Sequence, residues 1–306
     1  MKRVHVISVG DPRLCELAIV LKSKGHEVTT SAMDIMEPVR GKLEKFDILP
    51  EQEGWFPEKL DKEYDFVVPA NDVPSNNPEL VRARELNLLV LSFPEYIFSR
   101  IKNKTRIMVS GKKGKRTIVE MMIYALRKNN LLFDYVVTDA EDDDIRSMSW
   151  SYDARMAILE DDDSTFSPFL KKQINEYYRP HILVMQDVRW EPSDAFPDKE
   201  EYINSLKRLI GSIERDGKLI YCEKDPELVS LAGIIREDLT GMPYKEHTIR
   251  EDEEGIFLVS RFGEYKVNRK DSEFLEALNG ARIACRQMGL KDQAFYEAIS
   301  EYSFLK

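Results

Sequence analysis

The chain has 306 residues, a formal net charge of −10 and an apolar fraction of 42%. This length suits two domains that each bury their own core, and the acidic balance argues against a general nucleic-acid-binding protein. No apolar run approaches the ~20 residues that a membrane-spanning helix needs, and the first residues lack the pattern of a signal peptide. We therefore expect a cytoplasmic protein that binds neither membranes nor nucleic acid.

Strands and helices are predicted to alternate from the first residues onward. Apolar runs predict four strands, at residues 4–9, 27–31, 65–69 and 88–92. A helix is expected between the first two strands, and another is expected to begin at Asn77-Pro78. This alternation predicts an N-terminal Rossmann-like domain with a doubly wound parallel sheet, spanning residues 1–104. Of the three glycines of a dinucleotide fingerprint only Gly10 is present, so the sequence gives little support for a dinucleotide site.

The second predicted domain, residues 105–306, opens with an apolar strand, a glycine-rich loop and a helix. Gly111 and Gly114 let the backbone turn tightly and approach a ligand, and the amides at the start of the helix form a site for phosphate. Lys115 follows Gly114 as the lysine does in a nucleotide-binding loop, but the full G-x-x-x-x-G-K-S/T spacing is absent. Val109 takes the place of the first glycine, and Arg116 that of the hydroxyl residue. The segment is thus either a nucleotide loop or an ordinary turn with a basic, solvated tip.

Acidic residues follow the predicted strand at 155–159. Residues 160–163, Glu-Asp-Asp-Asp, would lie at the carboxyl end of that strand, beside the glycine loop. A magnesium ligand or a general base belongs at that position, although a solvated turn explains the same run. The remaining α/β elements of the domain are predicted at 134–137, 181–187, 200–215, 217–222, 256–260, 264–267, 274–288 and 292–303.

From end to end the chain resembles the first two domains of the Mur ligases, and most closely the branches acting on UDP-N-acetylmuramate with alanine or with the murein tripeptide. The matching segments, in order, are Gly54-Trp55-Phe56-Pro57-Glu58-Lys59, Asn77-Pro78-Glu79-Leu80, Lys102-Asn103-Lys104-Thr105-Arg106, Tyr178-Arg179-Pro180-His181, Asn279-Gly280-Ala281 and Phe295-Tyr296-Glu297-Ala298-Ile299. The resemblance implies a UDP-N-acetylmuramate-binding Rossmann-like domain followed by a P-loop-type central domain. It also leads us to expect that the third, C-terminal Mur domain is absent.

The resemblance assigns roles to particular residues, with ATP and Mg²⁺ as the implied cofactors. It places Lys115 and Glu160 in catalysis and Thr117, Glu160 and Asp162 at the metal. The UDP-sugar would contact Gly10, Ser31 and Asn77. Nucleotide binding falls to Gly111, Lys113, Gly114, Lys115, Arg116 and Thr117.

Several of these positions depart from the family pattern. The family's ATP loop reads Gly-Thr-x-Gly-Lys-Thr-Thr, so Arg116 replaces the threonine that would hold magnesium, and Thr117 takes over only if the loop shifts. Pro192 stands where the family has the histidine of Trp-Asp-His. The polar groups of the family's adenine-side motif are missing from residues 271–277. Asp11 brings a negative charge toward the expected pyrophosphate.

Three functions remain open. The first is a degenerate, non-catalytic Mur-ligase relative with a binding or regulatory role in peptidoglycan synthesis or recycling. The second is an active ATP- and Mg²⁺-dependent ligase that forms an amide on UDP-N-acetylmuramate through an acyl phosphate, with its third domain supplied by a partner chain. The third is a structural protein whose basic loop contacts some other anion.

Overall fold

A computed structural model of the protein describes residues 1–138, 147–151, 153–161, 174–193 and 196–302. The chain divides into two compact units. Unit 1 comprises residues 1–102 with the described parts of 138–149 and 163–178, and unit 2 comprises the described parts of 103–137, 150–162 and 179–306. None of the helices in these ranges is both long enough and apolar enough to cross a bilayer.

Unit 1 is built on a small parallel sheet. The elements up to residue 101 are β1 (Arg3–Ile7), α1 (Pro12–Ser23), β2 (Glu27–Ser31), α2 (Val39–Lys45), a 3-10 turn (Pro57–Lys59), β3 (Phe66–Pro69), α3 (Pro78–Glu85), β4 (Leu89–Val90) and α4 (Phe93–Ile101). The strands lie in the order β2-β1-β3-β4 and are parallel. Val4, Val6 and Ile7 of β1 are fully buried, as expected for a parallel strand in the middle of a covered sheet.

Polar caps set the starts of the helices in unit 1. The Asp11 carboxylate accepts the backbone N–H of Arg13 at the start of α1, and Ser92 and Glu95 form a capping box on α4. Proline follows the cap at the start of α1 and α3, where its missing N–H costs no hydrogen bond. These short-range signals are why the helices begin near the positions that the sequence predicts.

The chain after residue 102 continues the alternation. Its elements are β5 (Thr105–Ser110), α5 (Lys115–Lys128), β6 (Asp134–Val136), β7 (Met148–Ser149), β8 (Met156–Glu160), α6 (Ile174–Tyr177), β9 (Ile182–Met185), α7 (Lys199–Gly211), β10 (Lys218–Cys222), α8 (Pro226–Ala232), β11 (Thr240–Tyr244), β12 (Ile249–Asp252), β13 (Gly255–Ser260), β14 (Gly263–Val267), α9 (Ser272–Gln287) and α10 (Asp292–Glu301). Of these, β7 and α6 fall in the residue ranges of unit 1.

A parallel sheet forms the centre of unit 2. The strands that unit 2 contributes to it follow the order β11-β10-β9-β5-β8-β6, and every neighbouring pair among them is parallel. The strands β12, β13 and β14 form a separate antiparallel sheet, and α5 packs against α9 and α10. The two parallel sheets confirm the predicted α/β class. In unit 2, the strand order puts β5 among the central strands, so the loop that follows β5 begins at the middle of the sheet's carboxyl edge.

Two strands of unit 2 have no counterpart in the prediction. The edge strand β11, Thr-Gly-Met-Pro-Tyr, contains glycine and proline and has no apolar run. Proline is tolerated there because an edge strand leaves one row of backbone groups outside the ladder. The strand β12, Ile-Arg-Glu-Asp, is mostly polar and half-exposed or exposed, so only its pairing with β13 identifies it.

Candidate functional site

The glycine loop, residues 111–114, connects the end of β5 to the start of α5 at the carboxyl edge of the central sheet. The register of the sheet pairs Val109 with Glu160 on β8 and Ser110 with Met185 on β9. The last residue of β8 and the residues that follow β9 therefore flank the loop. Open parallel sheets bind their ligands at this edge.

Both glycines of the loop are required by their surroundings. Gly111 has a φ of +142°, and a Cβ there would lie 3.0 Å from the carbonyl oxygen of Asp187. That oxygen accepts the backbone N–H of Lys112 at 2.7 Å. Gly114 has a φ of +75°, and a Cβ there would lie 2.3 Å from Nε2 of Gln186. The backbone thus approaches β9 more closely than any side chain would allow.

Lys115 is held at the base of the loop. It is the first residue of the 14-residue helix α5, whose N-cap Gly114 offers no side-chain acceptor to the first amides. The Lys115 ammonium donates to the carbonyl oxygen of Asp161 at 2.9 Å, and the Ser110 hydroxyl donates to the Asp161 carboxylate at 2.6 Å. A helix N-terminus and an ammonium group together favour an anion at this point.

Arg116 forms an ion pair with Glu160. Its Nη1 lies 3.0 Å from Oε2 of Glu160, whose side chain is 2% exposed, whereas that of Arg116 is 29% exposed. A second carboxylate, of Glu120, lies 3.7 Å from Nε of Arg116. Because an isolated buried carboxylate is costly, the guanidinium compensates the acid that the resemblance assigns to the metal.

The described residues do not fit a magnesium ion at this position. Arg116 replaces the hydroxyl residue of the family loop, and its positive charge lies on Glu160. Thr117 is half-buried in the first turn of α5, and Asp162 lies outside the described residues. Within the described ranges there is no group of three or more His, Cys, Asp or Glu side chains that would hold a metal ion.

A cavity of about 360 Å³ lies beside the loop within unit 2. It is lined by Lys113, Gln186, Asp187, Arg189, Cys222, Lys224, Asp225, Pro226, Ser272, Glu273 and Glu276. Gln186 is 3% exposed, and its Nε2 donates to the Glu273 carbonyl at 3.2 Å. Its Oε1 is buried and has no hydrogen-bond partner among the described residues. Buried polar atoms are nearly always paired, so this acceptor is an exception in the wall of the cavity.

Charges of both signs line the cavity. Burial alone would raise the pKa of Asp187, but hydrogen bonds from Arg189 and the nearby Lys113 ammonium lower that pKa below its ordinary value. Asp187 therefore remains ionised at neutral pH. The sequence prediction included Lys113 but missed Gln186. The available signal was a single glutamine directly after the apolar run of β9.

In unit 1, the residues predicted to contact a UDP-sugar follow β1, end β2 or precede α3. A Cβ on Gly10 would lie 2.6 Å from the Asp34 carbonyl oxygen, so the backbone is close-packed there. Asp11, whose charge seemed unfavourable for a pyrophosphate, forms an ion pair with Arg13 at 2.9 Å. Its negative charge is thus compensated locally.

Ser31 belongs to a buried polar cluster that the sequence did not reveal. Its hydroxyl donates to Oε2 of Glu79 at 2.5 Å, and Nε2 of His5 lies 3.3 Å from the same carboxylate oxygen. Burial alone would raise the pKa of Glu79, but hydrogen bonds from His5, the Phe56 backbone and Ser31 lower it. Ser31 therefore helps to hold an ionised, buried carboxylate inside unit 1.

Asn77 likewise has a structural role. Its Oδ1 caps α3 by accepting the backbone N–H groups of Glu79 and Leu80, at 3.0 and 3.1 Å. Its Nδ2 is buried and has no partner among the described residues.

Comparison with known proteins gives a consistent group of relatives, although no protein-family model matches the chain. A UDP-N-acetylmuramate–L-alanine ligase from Carboxydothermus hydrogenoformans is 25% identical over all of this chain and 66% of its own length. A UDP-N-acetylmuramate–L-alanyl-γ-D-glutamyl-meso-2,6-diaminoheptandioate ligase from Escherichia coli is 23% identical over 74% of this chain and 49% of its own length. The chain thus spans between about half and two thirds of the length of these relatives.

Comparison with solved structures identifies the same group of relatives. The UDP-N-acetylmuramate:L-alanyl-γ-D-glutamyl-meso-diaminopimelate ligase from Neisseria meningitidis superimposes with a TM-score of 0.83 at 18% identity, covering 100% of this chain and 99% of that one. The UDP-N-acetylmuramate–alanine ligase from Thermotoga maritima gives a TM-score of 0.71 at 17% identity, covering 99% of this chain and 69% of that one. The predicted resemblance is confirmed: this chain is related to the Mur ligases and has their α/β fold over the part of them that it matches.

Proposed function

We propose that this chain is a Mur-ligase relative that binds a nucleoside phosphate at the glycine loop and does not form an amide bond on its own. Its role is then binding or regulatory, within peptidoglycan synthesis or recycling. The observation that carries this proposal is the Arg116–Glu160 ion pair. It leaves the basic, anion-accepting loop in place while neutralising the carboxylate on which the family's metal chemistry depends.

Several features of unit 2 support phosphate binding. Gly111 and Gly114 carry no side chain, which lets the loop backbone turn tightly beside Gln186 and Asp187. The N-terminus of α5 and the Lys115 ammonium supply positive charge, and a cavity of about 360 Å³ lies beside the loop. ATP, which combines a polyphosphate with a hydrogen-bonding base, matches these chemical groups.

The same region is poorly equipped for phosphoryl transfer. Such transfer relies on cations that neutralise charge as it develops on the phosphoryl group, and an acyl phosphate must then meet a positioned amine with water excluded. The segment Trp190-Glu191-Pro192 offers no histidine, and the Trp190 indole N–H donates to the Phe196 carbonyl at 3.1 Å.

The ligase alternative rests on one observation. Gly114 still caps α5 and Lys115 still opens it, which is the order of residues that the family's ATP loop requires. If a partner chain supplied a third domain and the amine-binding surface, the loop would be in position to serve the enzyme.

Calorimetric titration of ATP, alone and with UDP-N-acetylmuramate, tests the proposal. We expect ATP to bind, and Lys115→Ala to weaken binding at least about tenfold, as loss of a charge-assisted contact does. Lys112→Ala, in the exposed part of the loop, removes the same charge and serves as the matched control, with an effect of about threefold at most. ADP formation that depends on Lys115 and on a muramyl substrate would favour the ligase instead. Absence of ATP binding under all conditions would overturn the proposal.

A further inference from the structure

We propose that Arg116 is the resident cation of the glycine loop and makes nucleotide binding independent of divalent metal ions. The inference rests on the proposed function, since it concerns how the same loop neutralises a nucleotide's phosphates. The resemblance to the Mur ligases implies nucleotide binding that depends on Mg²⁺, and this inference predicts binding that does not.

The first step concerns Glu160. Its side chain is 2% exposed and its Oε2 lies 3.0 Å from Nη1 of Arg116. A buried carboxylate needs a counter-charge, and a guanidinium or a metal ion will serve. Magnesium binds carboxylate oxygen at about 2.0–2.1 Å and keeps several waters. A hydrated ion on Oε2 would therefore compete with the guanidinium for the same space and the same charge.

The second step concerns the position of Arg116. It is the second residue of α5, between Lys115 and Thr117, and so lies in the turn whose amides face the loop. A guanidinium is planar and carries five N–H donors, which allows one arginine to pair with a carboxylate and a phosphate together. In family loops a metal joins these two groups. In this chain the Arg116 guanidinium, which is covalently attached to α5 and cannot be lost as a metal ion can, is placed to join them.

The third step concerns net charge around the loop. Four positive charges surround the loop, and four carboxylates lie beside them: the cations are Lys112, Lys113, Lys115 and Arg116, and the acids are Glu120, Glu160, Asp161 and Asp187. Metal-free ATP carries about four negative charges, so it gains more from fixed cations than its magnesium complex does. We therefore expect the loop to accept the metal-free nucleotide at least as well as the complexed one.

The test is a titration of ATP in EDTA and in excess Mg²⁺, for the wild type, Arg116→Thr and Arg116→Lys. Wild-type affinity should change by less than about threefold between the two conditions. Arg116→Thr restores the family's hydroxyl, so it should lose at least about tenfold in EDTA and recover in Mg²⁺. Arg116→Lys keeps the charge and should stay insensitive to metal. Arg82→Thr, an exposed helical arginine of unit 1, is the control and should bind as the wild type does.

A second measurement has no nucleotide in it. Mg²⁺ alone should raise the thermal unfolding temperature of Arg116→Thr, by binding the Glu160 carboxylate that has lost its arginine partner, and leave that of the wild type unchanged. If Arg116→Thr fails to fold, the ATP affinities of the wild type and of Arg116→Lys in EDTA and in Mg²⁺ still show whether binding needs a metal ion.

The outcomes separate the two proposals. Wild-type binding that needs Mg²⁺ overturns this inference and leaves the proposed function standing. Binding by Arg116→Thr that is as metal-independent as that of the wild type also overturns it, because another group would then supply the charge. No ATP binding by the wild type with or without metal overturns the proposed function, and this inference with it.

Discussion

At the scale of single residues, Gly114 and Gln186 determine the shape of the candidate site. The glutamine amide occupies the space beside the glycine in which a Cβ would stand, at 2.3 Å from Nε2. It also reaches the Glu273 carbonyl at the start of α9. One side chain thereby connects the loop to the helix that lines the other side of the cavity.

Gly114→Ala should destabilise unit 2 by more than its backbone conformation alone explains. An alanine with positive φ costs about 1–2 kcal/mol, and the forced movement of Gln186 adds about 1–3 kcal/mol. Gly289, with a φ of +92° and no atom within 4 Å of its Cβ position, is the matched site, and Gly289→Ala should show the backbone cost only. Denaturant unfolding measures both.

Replacing Gln186 provides the control for that comparison. In a Gln186→Ala background the amide is gone, so Gly114→Ala should cost about as much as Gly289→Ala. Equal costs for the two glycine changes in the wild-type background would show that Gln186 does not restrict the loop.

At the scale of elements, the hydrogen bond that joins α10 to the segment before β12 depends on a neutral His247. The Tyr296 hydroxyl on α10 lies 2.7 Å from Nε2 of His247, and Nδ1 of His247 lies 2.9 Å from the Thr248 carbonyl oxygen. With the proton on Nδ1, the imidazole donates to the carbonyl and accepts from the tyrosine. Burial, and to a smaller extent Arg282, lower the pKa of His247, while the bond to Thr248 opposes them.

This arrangement predicts loss of stability in mild acid. The folded imidazole has a pKa below 6.5, so the unfolded chain takes up the proton first as the pH falls below about 6.5. Unfolding is then favoured, and the stabilisation is fully present only above that pH. The protection factors of the α10 amides, which compare the observed exchange rate with the intrinsic rate at the same pH, should therefore fall between about pH 7 and pH 5.5 in the wild type, and less so in His247→Gln.

His26 supplies the comparison for this experiment. The pKa of His26 is also lowered by burial, but the residue lies in unit 1. His26→Gln should leave the pH dependence of exchange in α10 as it is in the wild type. The same pH dependence in His247→Gln and the wild type would show that another group is responsible.

Sequence patterns predicted most elements because short-range signals produce them. The apolar runs of β5, β8 and β9 are visible in the sequence without knowledge of the neighbouring elements. The parallel order also placed Glu160 and the glycine loop at one edge. The pairing of Arg116 with Glu160 was not predictable, since it depends on where two side chains from separate elements point. The same holds for Gln186 and for the edge strand β11, which only its neighbour defines.

At the scale of the whole molecule, the two units carry different expected ligands and can be tested separately. The chain is acidic overall, at −10, yet the loop of unit 2 concentrates positive charge. A bound ligand stabilises what it contacts, by about 2.7 kcal/mol at a hundredfold excess over its dissociation constant. Protection from hydrogen exchange should therefore report which unit each ligand uses.

We expect ATP to slow hydrogen exchange in residues 110–118, and UDP-N-acetylmuramate to slow it near Gly10 and the start of α3. Both ligands should lose affinity as salt is added, because exposed charges are screened. Protection of the same unit by both ligands would contradict the assignment of separate sites. Lys115→Ala should abolish the effect of ATP only.

The Arg116–Glu160 pair also has a consequence for how the chain can change over generations. Arg116 and the buried Glu160 carboxylate compensate each other's charge. Loss of either one leaves the other charge without this partner, which destabilises the folded chain. A protein that changes between a metal-using and a metal-free form by single substitutions would therefore pass through a less stable variant, unless a bound metal ion replaced the charge of the lost arginine. We therefore expect the effect of a substitution at position 116 to depend on the residue at position 160, although the two are distant in the sequence.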